Sequence, residues 1–599
     1  MRTSSNLRLD TSALPPDVSK TSLMHVVREW ARYICFIVLI LIFCPVAFHR
    51  SALGSERGQS LNRRSEVVER VRRPSRLGSP FVPLGSWVYA AFDRLAGLGF
   101  APSAFSNLRP WTRMECARIV AAASEDSNSL TDQSPELFRL LEALTEEFSA
   151  ELQRLAGAAI GDVRVEEIYS RFTSLAGTPL SDGYHFGQTL TNDYGRPYGR
   201  GANLVTGASA SASAGPVAFY LRGEYQHAAP LPAYSDGVQQ LLGTLDGTPP
   251  QSPVHTATLY RFRLLDTYLA FNLKTIQLSV GRQSLWWGPG QAGPPNYSNN
   301  ARPIDMVRIS IPSPWKLPSF FSYLGPMRWE FIVGVMAGHH YPPHPAIDGQ
   351  KISFKPTPNL ELGFSRTIVF RPLTAGMFWK GFSSFGDNKS TLPGSAADVG
   401  DRRGGFDFSY RIPRLRKWLV IYSDGMTDDD TSPLGAPQRA LMNPGIYLPQ
   451  IPRIPKLDVR AEVVWSDPPE ISNRAGRYIY YNGAYHDSYT NGGQLLGSWV
   501  GREGHGIQVW STYWRSPRCP VQVGYRKAQV DRDFIPRGGS IQDFFLRAKF
   551  QLRQRLELST FVQHELWSFP ILAPLKGPNT AAAIELTWHP KWSRVFALE

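Results

Sequence analysis

The sequence predicts a mainly β protein: a large transmembrane antiparallel β-barrel preceded by a small α-helical domain. Three observations carry this. The first is residues 544–553 (FFLRAKFQLR), where Phe544, Leu546, Ala548, Phe550 and Leu552 alternate with Arg547, Lys549, Gln551 and Arg553. A strand sends successive side chains to opposite faces, so one face of this segment is apolar and the other charged. The second is recurrence. Val217, Phe219, Leu221 and Tyr225 oppose Tyr220, Arg222, Glu224 and Gln226; Leu457, Val459, Ala461, Val463 and Trp465 oppose Asp458, Arg460 and Glu462; and Leu556, Leu558, Thr560, Val562 and Leu566 oppose Glu557, Ser559, Gln563 and Glu565. The third is composition. Charged residues make up 19% of the chain, below the roughly 25% of soluble domains, while aromatics reach 12% with 16 Trp and 24 Tyr, as interfacial girdles require. A soluble sandwich also alternates, with its apolar side chains inward, so periodicity alone leaves lipid and protein core open as the partner of the apolar face.

Taken in order, residues 1–54 read as a signal peptide or leader. The apolar run at 33–48 (YICFIVLILIFCPVAF) follows Arg28 and Arg32 and precedes small residues at 52–55; it is short for a spanning helix and suits a secretory core. The long charged lead-in points to Met24 as the true start. A single N-terminal anchor is the alternative, and Phe43 before Cys44 is too large for a lipoprotein signal. Residues 55–80 form a basic flexible linker. Residues 81–160 take a helical period. Thr112-Arg-Met-Glu115 is a capping box in which hydroxyl and carboxylate satisfy free amides; a further helix opens at Ser134 and Pro135, carries the stripe Leu137, Leu140, Leu141, Leu144, Phe148, Leu152 and Leu155, and ends at Gly157. Residues 161–599 hold some 16 to 20 strands with their connections, the Pro- and Gly-rich stretches 229–253, 289–303, 341–358 and 424–455 being read as loops.

The formal charge of +14 invites a nucleic-acid reading, but half of it lies ahead of residue 77. The remainder is spread through strands and loops and fits a barrel mouth attractive to anionic polymers. Cys116 and Cys519 are the cysteines outside the leader, and they indicate free thiols rather than a disulfide framework.

The phrases FVPLGSWVYAAFDRLAGLGF and LRPWTRMECARIV (within 81–120), HFGQTLTNDYGRPYGRG (185–201), FYLRGEYQ (219–226) and, most specifically, GRQSLWWGPG (281–290) with SNNARP (298–303) resemble the Wzi family of outer-membrane capsule assembly proteins. The helical piece alone is also similar to S-layer-homology modules. The resemblance covers most of the chain after the leader. It implies a barrel of about eighteen strands in the bacterial outer membrane, a periplasmic helical domain, a lumen largely closed by loops and an outer face that holds capsular polysaccharide as a lectin does. Motif positions Arg282, Gln283, Trp286, Trp287, Asn299, Asn300 and Arg302 are its candidate glycan contacts.

Physically, the motif ends the strand TIQLSVGRQ, whose Ile276, Leu278 and Val280 share a face, and breaks it at Gly288-Pro289-Gly290. One of the adjacent indoles can sit in the bilayer interface and the other turn inward, while Arg282 and Gln283 offer donors to a sugar. An architectural role is the alternative: a Trp anchor and rigid turn, with Arg282 paired to a lumen carboxylate and Asn299, Asn300 and Arg302 building a turn. His339, His340 and His344 in a Pro-rich loop lack a supporting carboxylate and read as surface; Asp424, Asp428, Asp429 and Asp430 do not match an EF-hand. No cofactor or metal is implied. The expected function is non-enzymatic binding and anchoring of surface polysaccharide, with outer-membrane lipid as the other partner, no nucleic acid, and cell-wall or polysaccharide-export contacts open to the helical domain. The rivals are a diffusion porin for anionic solutes and a secreted glycan-processing enzyme.

Overall fold

An apolar strand face that meets hydrocarbon leaves its backbone nowhere to find water, and a sheet satisfies every N–H and C=O there only by closing on itself. The computed structural model describes residues 77–597 apart from 129–134, 159, 252–253, 372–373, 377–378, 380–398, 416–417, 429–431, 436, 468–478 and 488. The leader and nearly all of the linker expected from the sequence, with Ser134, Asp429 and Asp430, lie outside the described residues. Among the described residues, twenty strands run round one closed sheet. Eighteen of them form the wall, from Ile160–Leu175 to Gly577–Trp588, and two are short annexes, Trp315–Lys316 and Ser593–Ala597.

The ring closes between its ends. The first strand pairs on one side with Gly201–Ala214 and on the other with Gly577–Trp588, placing Ile168 opposite Trp588 and Leu175 opposite Ala581. The chain beyond Trp588 is the same edge resumed after a short break: Ser593–Ala597 pairs with the first strand's beginning, Ile160 opposite Ala597.

Alternation along the wall matches the sequence. Phe544 is 59% exposed and Val562 47%, both outward, whereas Asp543 and Gln563 next to them are buried inward. Val217, Phe219, Leu221 and Tyr225 are likewise outward, and Tyr220, Arg222, Glu224 and Gln226 face the lumen. Exposed aromatics gather at both ends of the outer surface, with Tyr225, Tyr260 and Phe262 at one and Tyr513, Trp588 and Trp592 at the other. Such paired girdles flank the apolar band of a membrane barrel.

The two ends differ in their connections. At one, turns such as 215–216, 274–275, 358–359, 517–518 and 554–555 are tight; at the other, connections such as 176–200, 229–258, 284–303 and 466–503 are long. Four helices lie at the tight-turn end. They are α1 (Trp87–Leu98), α2 (Arg113–Asn128), α3 (Pro135–Glu147) and α4 (Ser149–Leu155). Gly78 N–H donates to Gly215 O at 2.8 Å, and Arg518 Nη2 donates to Glu147 Oε2 at 3.2 Å. Ser86 caps α1 by accepting from Val88 N–H, and Gly99, at φ +98°, ends it in the left-handed conformation that a side chain disfavours.

Four sequence expectations change. The capping box is half formed: Thr112 Oγ1 accepts from Glu115 N–H at 3.1 Å, but the Glu115 carboxylate leaves the helix to pair with Arg328 of the barrel wall at 3.0 Å. The long second helix is two, broken at Phe148, where Arg113 lies over the ring at 5.0 Å and donates to the Glu147 carbonyl at 2.8 Å. The stretches 341–358 and 424–455 are not wholly loops. They contain the wall strands Ala346–Thr357 and Leu441–Leu448. Their inward faces mix buried apolar side chains such as Ile347 and Leu441 with polar and small ones, and their glycines make room for neighbours: a Cβ at Gly445 would lie 2.4 Å from the Tyr422 ring. The residue types that read as turns serve here to pack a wall against a filled lumen. Finally, 229–253 carries a helix, α5 (Asp236–Asp246), capped by Ser235.

Between α1 and α2 the chain makes an excursion, residues 99–112, into the lumen. One wall carboxylate grips it: Glu361 accepts from Ser106 N–H at 3.0 Å and Asn107 N–H at 3.1 Å. Lys355, 3.7 Å from the same carboxylate, donates to the carbonyls of Pro102 and Ala104. Replacing Glu361 by Gln weakens two charge-assisted hydrogen bonds and leaves Lys355 without its counter-charge, at a cost of about 1–3 kcal/mol. The expected outcome is faster amide exchange in 99–112, measured by mass spectrometry, with the barrel's heat-modifiable electrophoretic mobility retained.

Candidate functional site

The motif begins where the strand Ile276–Gln283 reaches the long-connection end and turns inward. The turn is held by Asp266, whose carboxylate accepts from Ser284 N–H at 2.7 Å and from its hydroxyl at 3.1 Å. Trp286 and Trp287 then pair as a short antiparallel ribbon with Arg109 and Leu108 of the 99–112 excursion. Ribbon and helices thus meet inside the barrel.

Neither indole reaches the bilayer interface, contrary to the expectation for this pair: Trp286 is 8% exposed and Trp287 0%. The reason is that each N–H is satisfied indoors. Trp286 donates to Gly290 O at 3.1 Å and Trp287 to Glu330 Oε1 at 2.9 Å. Glu330 also pairs with Arg308, whose guanidinium lies 4.1 Å over the Phe81 ring. Tyr297 meets Trp287 edge-on at 4.8 Å. Opposite stands Gly349, where a Cβ would come within 2.9 Å of Trp287 Cη2 and 3.1 Å of the Tyr297 hydroxyl.

The Gly-Pro-Gly break is equally constrained. Gly288, at φ +141°, has no room for a Cβ, which would fall 2.1 Å from Asp424 Oδ2. Beyond it Glu462 accepts from Gln291 N–H at 2.7 Å and Ala292 N–H at 2.9 Å, the same grip on successive amides that Glu361 applies from another strand. In the second half of the motif Asn300 Oδ1 accepts from Asn192 N–H at 2.7 Å, Asn300 Nδ2 donates to Gly497 O at 3.0 Å, and Asn299 O accepts from Tyr194 N–H at 2.6 Å. Three long connections therefore knit together around these asparagines.

Of the other candidates, Gln283 faces inward, accepting from Ser279 Oγ at 2.7 Å. Arg282 faces outward, bound at both ends of its fork to Asp305 of the next strand at 2.8 and 2.7 Å. Arg302 is half-exposed where the loop rejoins the wall. The structure thus encloses Trp286, Trp287, Gln283, Asn299 and Asn300 in protein, and leaves Arg282 and Arg302 open.

Sequence reasoning missed the charged knot that locks the loops. His185 is buried between Asp182, at 2.8 Å, and Asp246 of α5, at 3.0 Å, and Asp246 also accepts from Arg502 at 2.7 Å. Asp182 and His185 stand three residues apart, but Asp246 and Arg502 lie far off in the chain, so no local spacing announces the knot. Burial opposes the charged imidazole, but the two carboxylates prevail and raise its pKa to about 9. Around it Tyr184, Phe186, Trp287, Tyr297, Tyr480, Tyr489, Trp499, Phe534 and Phe569 form one buried apolar cluster. This cluster fills the lumen towards the long connections. Deeper in, a cavity of about 540 Å³ remains, lined by Arg171, Asp193, Trp510, Arg547 and Lys549 among others.

Comparison with known proteins agrees with this architecture. Residues 171–582 match the family profile described as capsule assembly protein Wzi. A 55.8 kDa protein of the cps region of Klebsiella pneumoniae is 29% identical over 181 residues, 29% of this chain, which spans about a third (34%) of that relative's length. Among solved structures, Escherichia coli Wzi is superposable with a TM-score of 0.59 at 16% identity, covering 85% of this chain and 98% of that one. It is described as an outer membrane protein involved in group 1 capsule assembly and a carbohydrate binding β-barrel. At that identity the likeness is one of fold.

Two outcomes follow from the geometry. Because His185 has a raised pKa in the folded state, its stabilisation is complete below about pH 6.5, the ordinary histidine value, and is lost as pH rises through about 9. Protection of the loop segments against protease should fall over that window, by the order of 3 kcal/mol, and His185→Gln should remove the pH dependence. Gly349→Val should cost about 1–3 kcal/mol by overpacking against Trp287, read as a lower unfolding temperature in detergent.

Proposed function

Because this chain belongs to the Wzi family of capsule assembly proteins, its profile matching from Arg171 into the last long strand, we propose that it is a non-enzymatic outer-membrane barrel that binds and anchors capsular or other surface polysaccharide. The observation that carries this reading is the filled lumen. The apolar cluster to which the connections 176–200, 229–258, 284–303, 466–503, 531–538 and 569–576 all contribute turns the mouth of the barrel into a fixed surface, where a diffusion porin needs a continuous aqueous path. What is presented outward is the surface of these packed connections, on which Tyr341 is exposed and Arg302 half-exposed. Many weak contacts on it, each a stacked ring or a charge-assisted hydrogen bond, add up along a repeating polymer to hold it at the cell.

The long connections, with α5, face outward from the cell in this reading and the tight turns face the periplasm, as is usual for outer-membrane barrels, so α1 to α4 are periplasmic. Their free surface, with exposed Phe138, Arg139, Glu142 and Glu146 on α3, is where cell-wall or polysaccharide-export partners would dock.

Deleting the gene should release polymer into the medium while total polymer stays unchanged, measured by fractionating cells and supernatant. A mutant that keeps all its polymer cell-bound contradicts the anchoring role. In planar bilayers the purified protein should give no large conductance steps; steady porin-sized steps favour the channel instead.

A further inference from the structure

Arg261 and Arg263 lie on the strand Leu259–Leu273, between outward Tyr260, Phe262 and Leu264, so their side chains point into the barrel. Tyr260 and Phe262 belong to the aromatic girdle at the long-connection end, which fixes the height of the two arginines at the outer rim, on the side away from lipid. Together with Gln188, Arg196, His255 and Gln494 they line a pocket of about 150 Å³. Arg302, the last charged residue of the motif, stands beside it. Its side chain runs past Gly492, where a Cβ would meet Arg302 Cδ and Nε at 3.0 Å, and its charge acts on both Arg261 and Arg263.

The accounting of counter-charges singles this cluster out. Arg196 is used by Asp193 and Glu224, and Arg282 by Asp305. Arg261 donates to a neutral partner, Gln226 Oε1, at 3.0 Å. Among the described residues no ion pair reaches Arg261, Arg263 or Arg302, whereas other inward arginines are paired, Arg308 with Glu330, Arg328 with Glu115 and Arg526 with Asp543, or, like Arg547, lie over aromatic rings. Glu224 and Asp305 act on Arg263 and Arg302 without forming an ion pair with them, and each is already engaged by another arginine; half-buried guanidinium groups so gathered repel one another and lose hydration, a cost that a bound anion relieves.

We propose that Arg261, Arg263 and Arg302 form a subsite for the carboxylate of an acidic sugar residue in the anchored polymer. The inference rests on the polysaccharide reading and narrows it to polymers bearing carboxyl groups. The pocket has the volume of about five waters, enough for the charged group of one residue and not for a length of chain, so the rest of the polymer lies across the loop surface. A planar carboxylate suits the guanidinium fork, which donates two parallel hydrogen bonds to it.

The test is calorimetric titration of the detergent-purified full chain with oligogalacturonate and with its carboxyl-reduced counterpart, for the native protein and for Arg263→Gln and Arg302→Gln variants that retain heat-modifiable mobility. The expected result is that carboxyl reduction, or either substitution, weakens binding about ten- to hundredfold, and that affinity for the acidic form falls as salt rises. Equal affinity for acidic and reduced forms, or variants that bind as well as the native protein, overturns the subsite and leaves the anchoring reading standing. Failure of the native protein to bind either form here and its own surface polymer on cells overturns both. Displacement of oligogalacturonate by lipopolysaccharide but not by its dephosphorylated form assigns the arginines to lipid phosphate and overturns the sugar assignment.

Discussion

Hydrocarbon on the outside of the sheet decides where everything else goes. Once the outward positions of the wall are given to Phe, Leu, Val and Tyr, charges carried by the same strands turn inward, apart from pairs near the rim such as Arg282 with Asp305, and the lumen becomes a low-dielectric space crowded with ionic groups. Isolated charges cannot persist in such a space. The structure answers in two ways. Some groups pair across neighbouring strands, as Arg526 does with Asp543. Others reach for backbone: Glu361 and Glu462 each hold two successive amides of a segment that has entered the barrel.

That second use of charge turns a pore into a scaffold. The excursion between α1 and α2 comes in from the tight-turn end, the Trp286–Trp287 segment comes in from the other, and they pair in the middle as a two-stranded ribbon. Each supplies what the other lacks: edges to pair with, and apolar cover for buried indoles. The long connections then condense on this ribbon into an apolar cluster. The loops of a surface-binding protein gain from this rigidity, because a polymer held by many weak contacts is held better by groups that need not be ordered first. The two carboxylate grips and the His185 knot are thus the means by which a membrane wall presents a fixed face to what lies outside it.

Much of this was legible in the chain, for physical reasons. Long strands facing lipid on one side and charge on the other alternate cleanly, so the segments around Phe544, Phe219, Val463 and Val562 could be read directly, and Thr112 marked a helix start through a local hydrogen bond. Where the outward face is short or the inward face is packed against the plug, glycine and proline replace large alternating residues, and the strands Ala346–Thr357 and Leu441–Leu448 passed for loops. The motif at 281–290 drew attention correctly, but its tryptophans looked like surface aromatics because nothing local reveals that Glu330 and Gly349 wait across the lumen. Similarly, Glu115 left its capping box for Arg328, and Asp246 met His185, through contacts that only the closed barrel creates.

The claim on which the rest depends is that lipid covers the outward side chains while the inward ones face a filled, polar interior. Spin labels placed singly along residues 542–549 and 561–566 in proteoliposomes measure it, through relaxation by lipid-soluble oxygen against a water-soluble nickel complex. The expected result is a two-residue alternation, with oxygen dominating at Phe544, Leu546 and Val562 and falling at Asp543, Phe545 and Gln563. Oxygen accessibility that is low and uniform at all of these positions would mean that protein rather than lipid covers the apolar face, and would contradict the account.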